Sequence, residues 1–227
     1  METFEEIQPW GSTRYTIESG SHIHKKTERA IIDIFTNPFF GRMLFIDGVL
    51  QSCEKDEKVY HEALVNYSKP KGNVLIAGGA EGATAREVLA GTYKISKVDM
   101  VDWDKDLVGI MRKEVFSKGV FENPLLEVIH EDIMKYLTTS NIYDSILIDL
   151  LDPHTEDEIK WLSAVCVLAF TRLESGGTLV VNAGGKYDIM VKLIHIMEER
   201  TYCRTDYTVM FIPSFQELWY LIKICKL

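Results

Sequence analysis

Five carboxylates stand where this sequence has room for chemistry. Glu81 sits inside a glycine-rich stretch, Asp102 follows the next apolar run, Asp132 the one after, and Asp149 and Asp152 lie three apart beyond a fourth. Asp102 comes 21 residues after Glu81, the separation at which a βαβ unit sets a carboxylate over the ribose hydroxyls of a bound nucleoside. An ionised carboxylate accepts two hydroxyl protons at once. Glu81 is a poor neighbour for a pyrophosphate, which favours neutral or basic surroundings, and a good one for a cation. Between Asp149 and Asp152, like charge raises one carboxyl toward the range in which it accepts a proton from a nucleophile. The chemistry these residues suit is the binding of a cationic nucleoside next to a nucleophile that must lose a proton.

The elements that position them follow from periodicity. Residues 74–77 are apolar, Gly78, Gly79 and Gly82 make a turn, and Ala85, Val88 and Leu89 recur at helical spacing. This reads as strand, loop, helix. Glycines alone also suit a plain tight turn in a parallel sheet. Further strands are expected at 97–102, 126–130, 143–149 and 178–182, and helices at 107–117, 133–137, 160–173 (closing at Gly176-Gly177) and 190–200. Residues 207–211 and 219–224 are expected to end the sheet as an antiparallel pair. Strands alternating with helices predict a doubly wound α/β sheet, whose ligand crevice lies at the carboxyl ends of its strands. Asp102, Asp132 and Asp149 are all placed there, with a helix N-cap as the alternative role for Asp132.

Residues 1–52 alternate polar and apolar positions in short segments broken by Asn37-Pro38, Gly41 and Asp47-Gly48. They are expected to form a small N-terminal antiparallel β-domain. The pattern turns charged and helical at 54–66, so the boundary is placed at 52/53, with 53–227 as the nucleoside-binding catalytic domain. A net charge of −9 with 46% hydrophobic residues argues for a globular chain and against a general nucleic-acid binder, which needs a basic patch. Cys53, Cys166, Cys203 and Cys225 are scattered and read as reduced thiols. His22, His24, His154 and His195 lack ligand partners at metal-site spacing, so no metal is expected. No apolar run approaches the length of a membrane span, and the first residues lack the positive region of a signal peptide. A soluble cytoplasmic protein, with no membrane partner, is the expectation.

Four blocks are more specific: Leu-Phe-Ile-Asp-Gly-Val-Leu-Gln at 44–51; Glu-Lys-Asp-Glu at 54–57 with Tyr60-His61-Glu62; the glycine loop running into Ala-Arg-Glu-Val-Leu at 85–89; and Asp149-Leu150-Leu151-Asp152-Pro153. On them the chain resembles the spermidine synthase family of polyamine aminopropyltransferases over nearly all its length. The resemblance implies a methyltransferase-like Rossmann-type doubly wound sheet with a small N-terminal antiparallel β-domain. It implies decarboxylated S-adenosylmethionine as donor, an amine as acceptor, methylthioadenosine as product, and a homo-oligomer, dimer or tetramer. Asp102 would hold the ribose and Asp132, with neighbouring Ile133, the adenine. Trp103 would stack on the adenine edge or belong to the core. Gly78 and Gly79 would line the loop, Gln51 would meet the methionine-derived portion, and Glu81 and His61 the aminopropyl amine. Asp149 would act as base, with Tyr60 and Asp152 toward the acceptor; Trp10 and Trp219 would line its channel or pack in the core.

The chain also departs from the family pattern. The loop acid is Glu81 where the family has Asp, Leu150-Leu151 replaces a serine pair, 154–158 lacks a Gly-Pro segment, and Phe215-Gln216-Glu217-Leu218 replaces Tyr-Pro-Ser-Gly. All but the first fall on the acceptor side, so the donor side is the better preserved. They keep open an S-adenosylmethionine-dependent transfer of a 3-amino-3-carboxypropyl or methyl group to a non-polyamine acceptor. The carboxypropyl form would need a cation such as Arg86 or Lys186 near the donor's carboxylate. A nucleoside-binding relative without turnover is the third reading.

Overall fold

A computed structural model describes residues 2–8 and 11–227, and the sequence expectation for Trp10 lies outside them. The chain divides into two units, Met1–Tyr60 with Ile212–Gln216, and His61–Phe211 with Glu217–Leu227.

In the first unit, β1 (Glu2–Gln8) and β2 (Gly11–Ile17) form a hairpin. β3 (Ile23–Lys26), β4 (Ile31–Asn37), β5 (Gly41–Ile46) and β6 (Val49–Cys53) form a second, four-stranded antiparallel sheet in chain order. Period-two alternation turns Tyr15, Ile17, Phe35, Met43, Phe45, Leu50 and Cys53 into one core, with Phe4 and Phe40 packed against it. Phe35 stacks on Phe45 with ring centroids 5.2 Å apart. Glu6 is buried because it is satisfied: it accepts from Tyr15 Oη and from the Leu50 N–H, both at 2.9 Å, and so ties hairpin to sheet. The sequence suggested neither β1 nor β3. Glu2–Gln8 carries three acids and Ile23–Lys26 two lysines, so both read as polar until pairing partners are known. Asp56 accepts from the Ser214 N–H and hydroxyl at 2.7 and 3.0 Å, which fixes the 212–216 turn to this unit.

The division falls within α1 (Glu57–Ser68). The second unit then runs β7 (Gly72–Gly78), α2 (Ala83–Val88), β8 (Ile95–Val101), α3 (Lys105–Met111), β9 (Leu126–Ile129), α4 (Ile133–Tyr136) and β10 (Tyr143–Asp149). It continues with α5 (Glu156–Thr171), β11 (Leu173–Asn182), α6 (Tyr187–Arg200), β12 (Cys203–Ile212) and β13 (Glu217–Lys226). The sheet order is β12-β13-β11-β10-β7-β8-β9. Strands β9, β8, β7, β10 and β11 are parallel, and β13 is antiparallel to β11. This is the doubly wound sheet expected, with the small antiparallel N-terminal sheets beside it in sequence. Central strands covered on both faces explain the unbroken apolar runs 74–77 and 146–148, all at most 1% exposed. Because these five strands are parallel, residues following β7, β8, β9, β10 and β11 emerge at one rim.

Several boundaries differ from expectation. α5 starts at Glu156, four residues early, because Thr155 and Glu158 form a reciprocal capping box and acids at 156–158 suit the helix N-terminus. Gly176-Gly177 does not close a helix; both lie within β11, where its register against β10 shifts between Leu173 and Thr178. α3 ends at Met111 and gives way to turns. Among the described residues no helix is long and apolar enough to cross a membrane.

Candidate active site

β7 hands the chain to the glycine loop directly opposite the end of β10, where Gly78 pairs with Asp149. Gly78 has φ 85°, and a Cβ there would sit 2.0 Å from the Asp149 carbonyl oxygen. Only glycine allows both that backbone angle and that approach. The loop closes through a 2.8 Å bond from the Gly82 N–H to Gly79 O before α2 begins. Asp102, just past β8, is tied to this loop: its carboxylate accepts from the Ala80 N–H, and from the Asp104 N–H at 2.9 Å. Burial pushes its pKa up to about 6, with Asp104 adding to the rise, against the lowering effect of the two backbone donors and His130. Asp132 follows β9 on the same rim and caps α4, accepting from the Lys135 N–H at 3.1 Å. The N-cap alternative thus describes one of its oxygens.

A chain of polar groups runs from the loop acid to Asp149. The Glu81 carboxylate pairs with His61 Nε2. His61 Nδ1 lies 2.9 Å from Thr84 Oγ1, and the Thr84 hydroxyl donates to Asp149 Oδ2 at 3.3 Å. His61 is 4% exposed and Thr84 fully buried, so these bonds are shielded from water. A hydroxyl carries one proton. If Thr84 gives it to Asp149, Thr84 must accept from His61 Nδ1–H, and the imidazole then shares its second proton with Glu81. Four groups from α1, the loop, α2 and β10 are thereby coupled.

Asp152 forms the other side. Its Oδ1 accepts from Asn182 Nδ2 at 2.7 Å, while Asn182 Oδ1 accepts from Trp219 Nε1 at 2.8 Å and from the Gly184 N–H at 3.0 Å. Burial drives the Asp152 pKa up to about 7; the Asn182 amide opposes the rise, and Asp149 and Glu217 reinforce it by like charge. The fold therefore favours the neutral acid. With a folded value of about 7 against an ordinary one of about 3.9, the stability from this group is present below pH 4 and is lost as pH rises through 7. Asp152→Asn keeps the acceptor for Asn182 and removes the titration. It should melt higher than the native chain at pH 8 and converge with it near pH 4, as thermal unfolding at the two pH values will read.

The remaining expected residues have these places. Trp103 is 57% exposed beside Asp102, which removes the core alternative for it. Trp219 is buried, with its indole N–H on Asn182. The Ile133 side chain lies in the apolar core with Leu75, Ala77 and Val101. Gln51 and Tyr60 belong to the first unit; Gln51 is exposed on β6 with its amide on Val49 O at 3.3 Å, and Tyr60 is half-buried on α1. Thr84, Asn182 and Glu217 were missed in the sequence. The signal was present for two of them: Asn182 ends β11 on the acid-bearing rim, and Thr84 is the only hydroxyl in Ala83–Val88.

A family model described as the spermine/spermidine synthase domain matches residues 53–227. The chain belongs to the spermine/spermidine synthase family. Relatives include polyamine aminopropyltransferase 2 of Pseudomonas aeruginosa, 36% identical over 63% of this chain and 43% of that protein. The polyamine aminopropyltransferase of Saccharolobus islandicus is 34% identical over 79% of this chain and 64% of that one; that of Pyrobaculum neutrophilum is 32% identical over 86% and 71%. The chain thus spans 43% and 64% of the lengths of the first two. A spermidine synthase in complex with the transition-state analogue AdoDATO shares the fold, with a TM-score of 0.87 at 23% identity over 99% of this chain and 80% of that one. Spermidine synthase from Thermotoga maritima superposes at 0.83 with 22% identity over 99% and 79%.

Proposed function

We propose that this chain transfers an aminopropyl group from decarboxylated S-adenosylmethionine to a small amine, releasing methylthioadenosine. The observation that carries the reading is the coupled line Glu81–His61–Thr84–Asp149 on the rim where Asp102 meets the glycine loop. The ribose hydroxyls would be held by Asp102 and the adenine by Asp132, with Trp103 available to stack. The aminopropyl ammonium would sit against Glu81 and His61. The acceptor nitrogen attacks the propyl carbon bonded to sulfur as the carbon–sulfur bond breaks, and the bond's electrons neutralise the sulfonium. Asp149 takes the proton that the nitrogen sheds. An amine is mostly protonated at neutral pH, so a carboxylate that first binds the cation and then accepts its proton acts twice. In-line positioning of the two reactants supplies much of the remaining acceleration. Asp152 and Glu217 would face the acceptor.

The carboxypropyl alternative wants a cation for the donor's carboxylate. Arg86 is already engaged by Glu87 at 2.7 Å and by the Phe116 carbonyl, which leaves the exposed Lys186 as the cation that donor would need. The test is incubation of the purified chain with each donor and a panel of diamines and polyamines, identifying the nucleoside released. Methylthioadenosine with an aminopropylated amine is expected; S-adenosylhomocysteine, or no product with any amine, overturns the proposal.

In this account Thr84 positions Asp149 and fixes the imidazole. Thr84→Val removes the hydroxyl but keeps the volume, and should lower kcat by about 10- to 100-fold, the worth of a hydrogen bond to a charged group. Thr84→Ser should restore most of it. Steady-state rates of the two variants check this.

A further inference from the structure

We propose that the first unit carries a zinc-type metal site built from His22, His24 and Asp33, independent of the transferase chemistry. His24 and Asp33 are direct partners in the β3–β4 register, and His22, two residues earlier, turns to the same side. His22 Nε2 and His24 Nδ1 each lie 2.7 Å from the same oxygen, Asp33 Oδ1, and all three ligand atoms fall within 4.8 Å of one another. Four-coordinate zinc holds such atoms about 2.0 to 2.2 Å from the metal, so neighbouring ligands need separate only to about 3.3 Å. Small side-chain rotations supply that opening. Two imidazoles and one carboxylate are a borderline donor set, suited to Zn²⁺ or Co²⁺, with the fourth position left to water.

Three further features favour a built site. Asp33 is 4% exposed, a costly place for a carboxylate unless it is paired or bound to metal. Glu2 Oε1 stands 3.7 Å from His22 Nδ1, an ion-pair distance that must close to about 3 Å for the carboxylate to orient a histidine ligating through its other nitrogen. The His22 ring meets Phe4 and Phe35 edge-on, at 6.4 and 5.8 Å between centroids, which limits its rotation. The pattern was hidden in the sequence because the third ligand comes from the neighbouring strand, nine residues beyond His24. A bound ion would bridge β3 and β4 and, through Glu2, β1. Such a bridge adds most to a small unit, whose core is limited by size.

The test is titration of the metal-stripped full chain with Zn²⁺ by calorimetry and with Co²⁺ by visible absorption. One equivalent of each should bind, and cobalt should show the intense visible bands of four-coordinate geometry without the near-ultraviolet charge-transfer band of a thiolate. That absence separates the site from adventitious binding at Cys203 or Cys225. The double variant His22→Gln/His24→Gln should lose the equivalent, and His154→Gln/His195→Gln should keep it. Circular dichroism must show the first variant folded; should it fail to fold, Asp33→Asn is read in its place. The proposal is overturned if the full chain takes up neither ion in large excess, leaving a hydrogen-bonded buried carboxylate only. It is equally overturned if the cobalt bands survive the first double substitution.

Discussion

Replacing Asp149 with asparagine should lower kcat by about 10²- to 10⁴-fold, the range in which a positioned general base contributes. The substitution is nearly isosteric and keeps an oxygen for the Thr84 hydroxyl, now at 3.3 Å from Asp149 Oδ2. What it removes is the capacity to take a proton from the amine and the negative charge that holds the ammonium form. Donor binding should change little, because the ribose is assigned to Asp102, which follows β8 and is held by the Ala80 and Asp104 N–H groups, not by Asp149. A fall in kcat with an unchanged KM for the donor is thus the signature of lost transition-state stabilisation rather than lost binding. Steady-state kinetics with the donor varied at saturating amine will read both numbers. An equal rise in donor KM would move Asp149 from the reaction to the binding of the nucleoside.

Gly78→Ala should cost both stability and activity. The left-handed backbone at φ 85° disfavours any side chain by about 1 to 2 kcal/mol. A Cβ 2.0 Å from the Asp149 carbonyl oxygen forces the two strand ends apart, adding about 1 to 3 kcal/mol of overpacking. Against a total stability of about 5 to 15 kcal/mol, the loss should lower Tm by about 4 to 20 °C for a chain of this size. Gly91→Ala is the control: φ is 88° and nothing lies within 4 Å of the added carbon, so only the backbone term applies. The difference between the two melting temperatures isolates the clash. Because the displaced atom belongs to Asp149, kcat of the Gly78 variant should also fall, while that of the Gly91 variant should not.

The sheet was legible because its central strands are buried on both faces and therefore read as plain apolar runs between glycine turns. Of the acids at the strand ends, Asp149 follows such a run directly; Asp102 follows one interrupted by Asp99, and Asp132 stands three residues past Ile129 on the edge strand β9. Thr84 and Asn182 were not legible, since a lone hydroxyl or amide has many innocent roles and gains meaning only from the 3.3 and 2.7 Å bonds to Asp149 and Asp152. β1 escaped notice because Glu6 looks like a surface acid in Glu5-Glu6 until Tyr15 and Leu50 are seen to satisfy it. Trp103 remained ambiguous for the opposite reason: a tryptophan after a strand suits a core as well as an open rim. Its 57% exposure decides the matter.

Carboxylates along one rim should select a sulfonium nucleoside lacking its own carboxylate. Calorimetric titration of the purified chain with decarboxylated S-adenosylmethionine and with S-adenosylmethionine tests it most directly. The decarboxylated donor should bind at least tenfold more tightly, a difference of about 1.4 kcal/mol, and Asp102→Ala should weaken both. Equal affinity, or tighter binding of S-adenosylmethionine, would contradict the account.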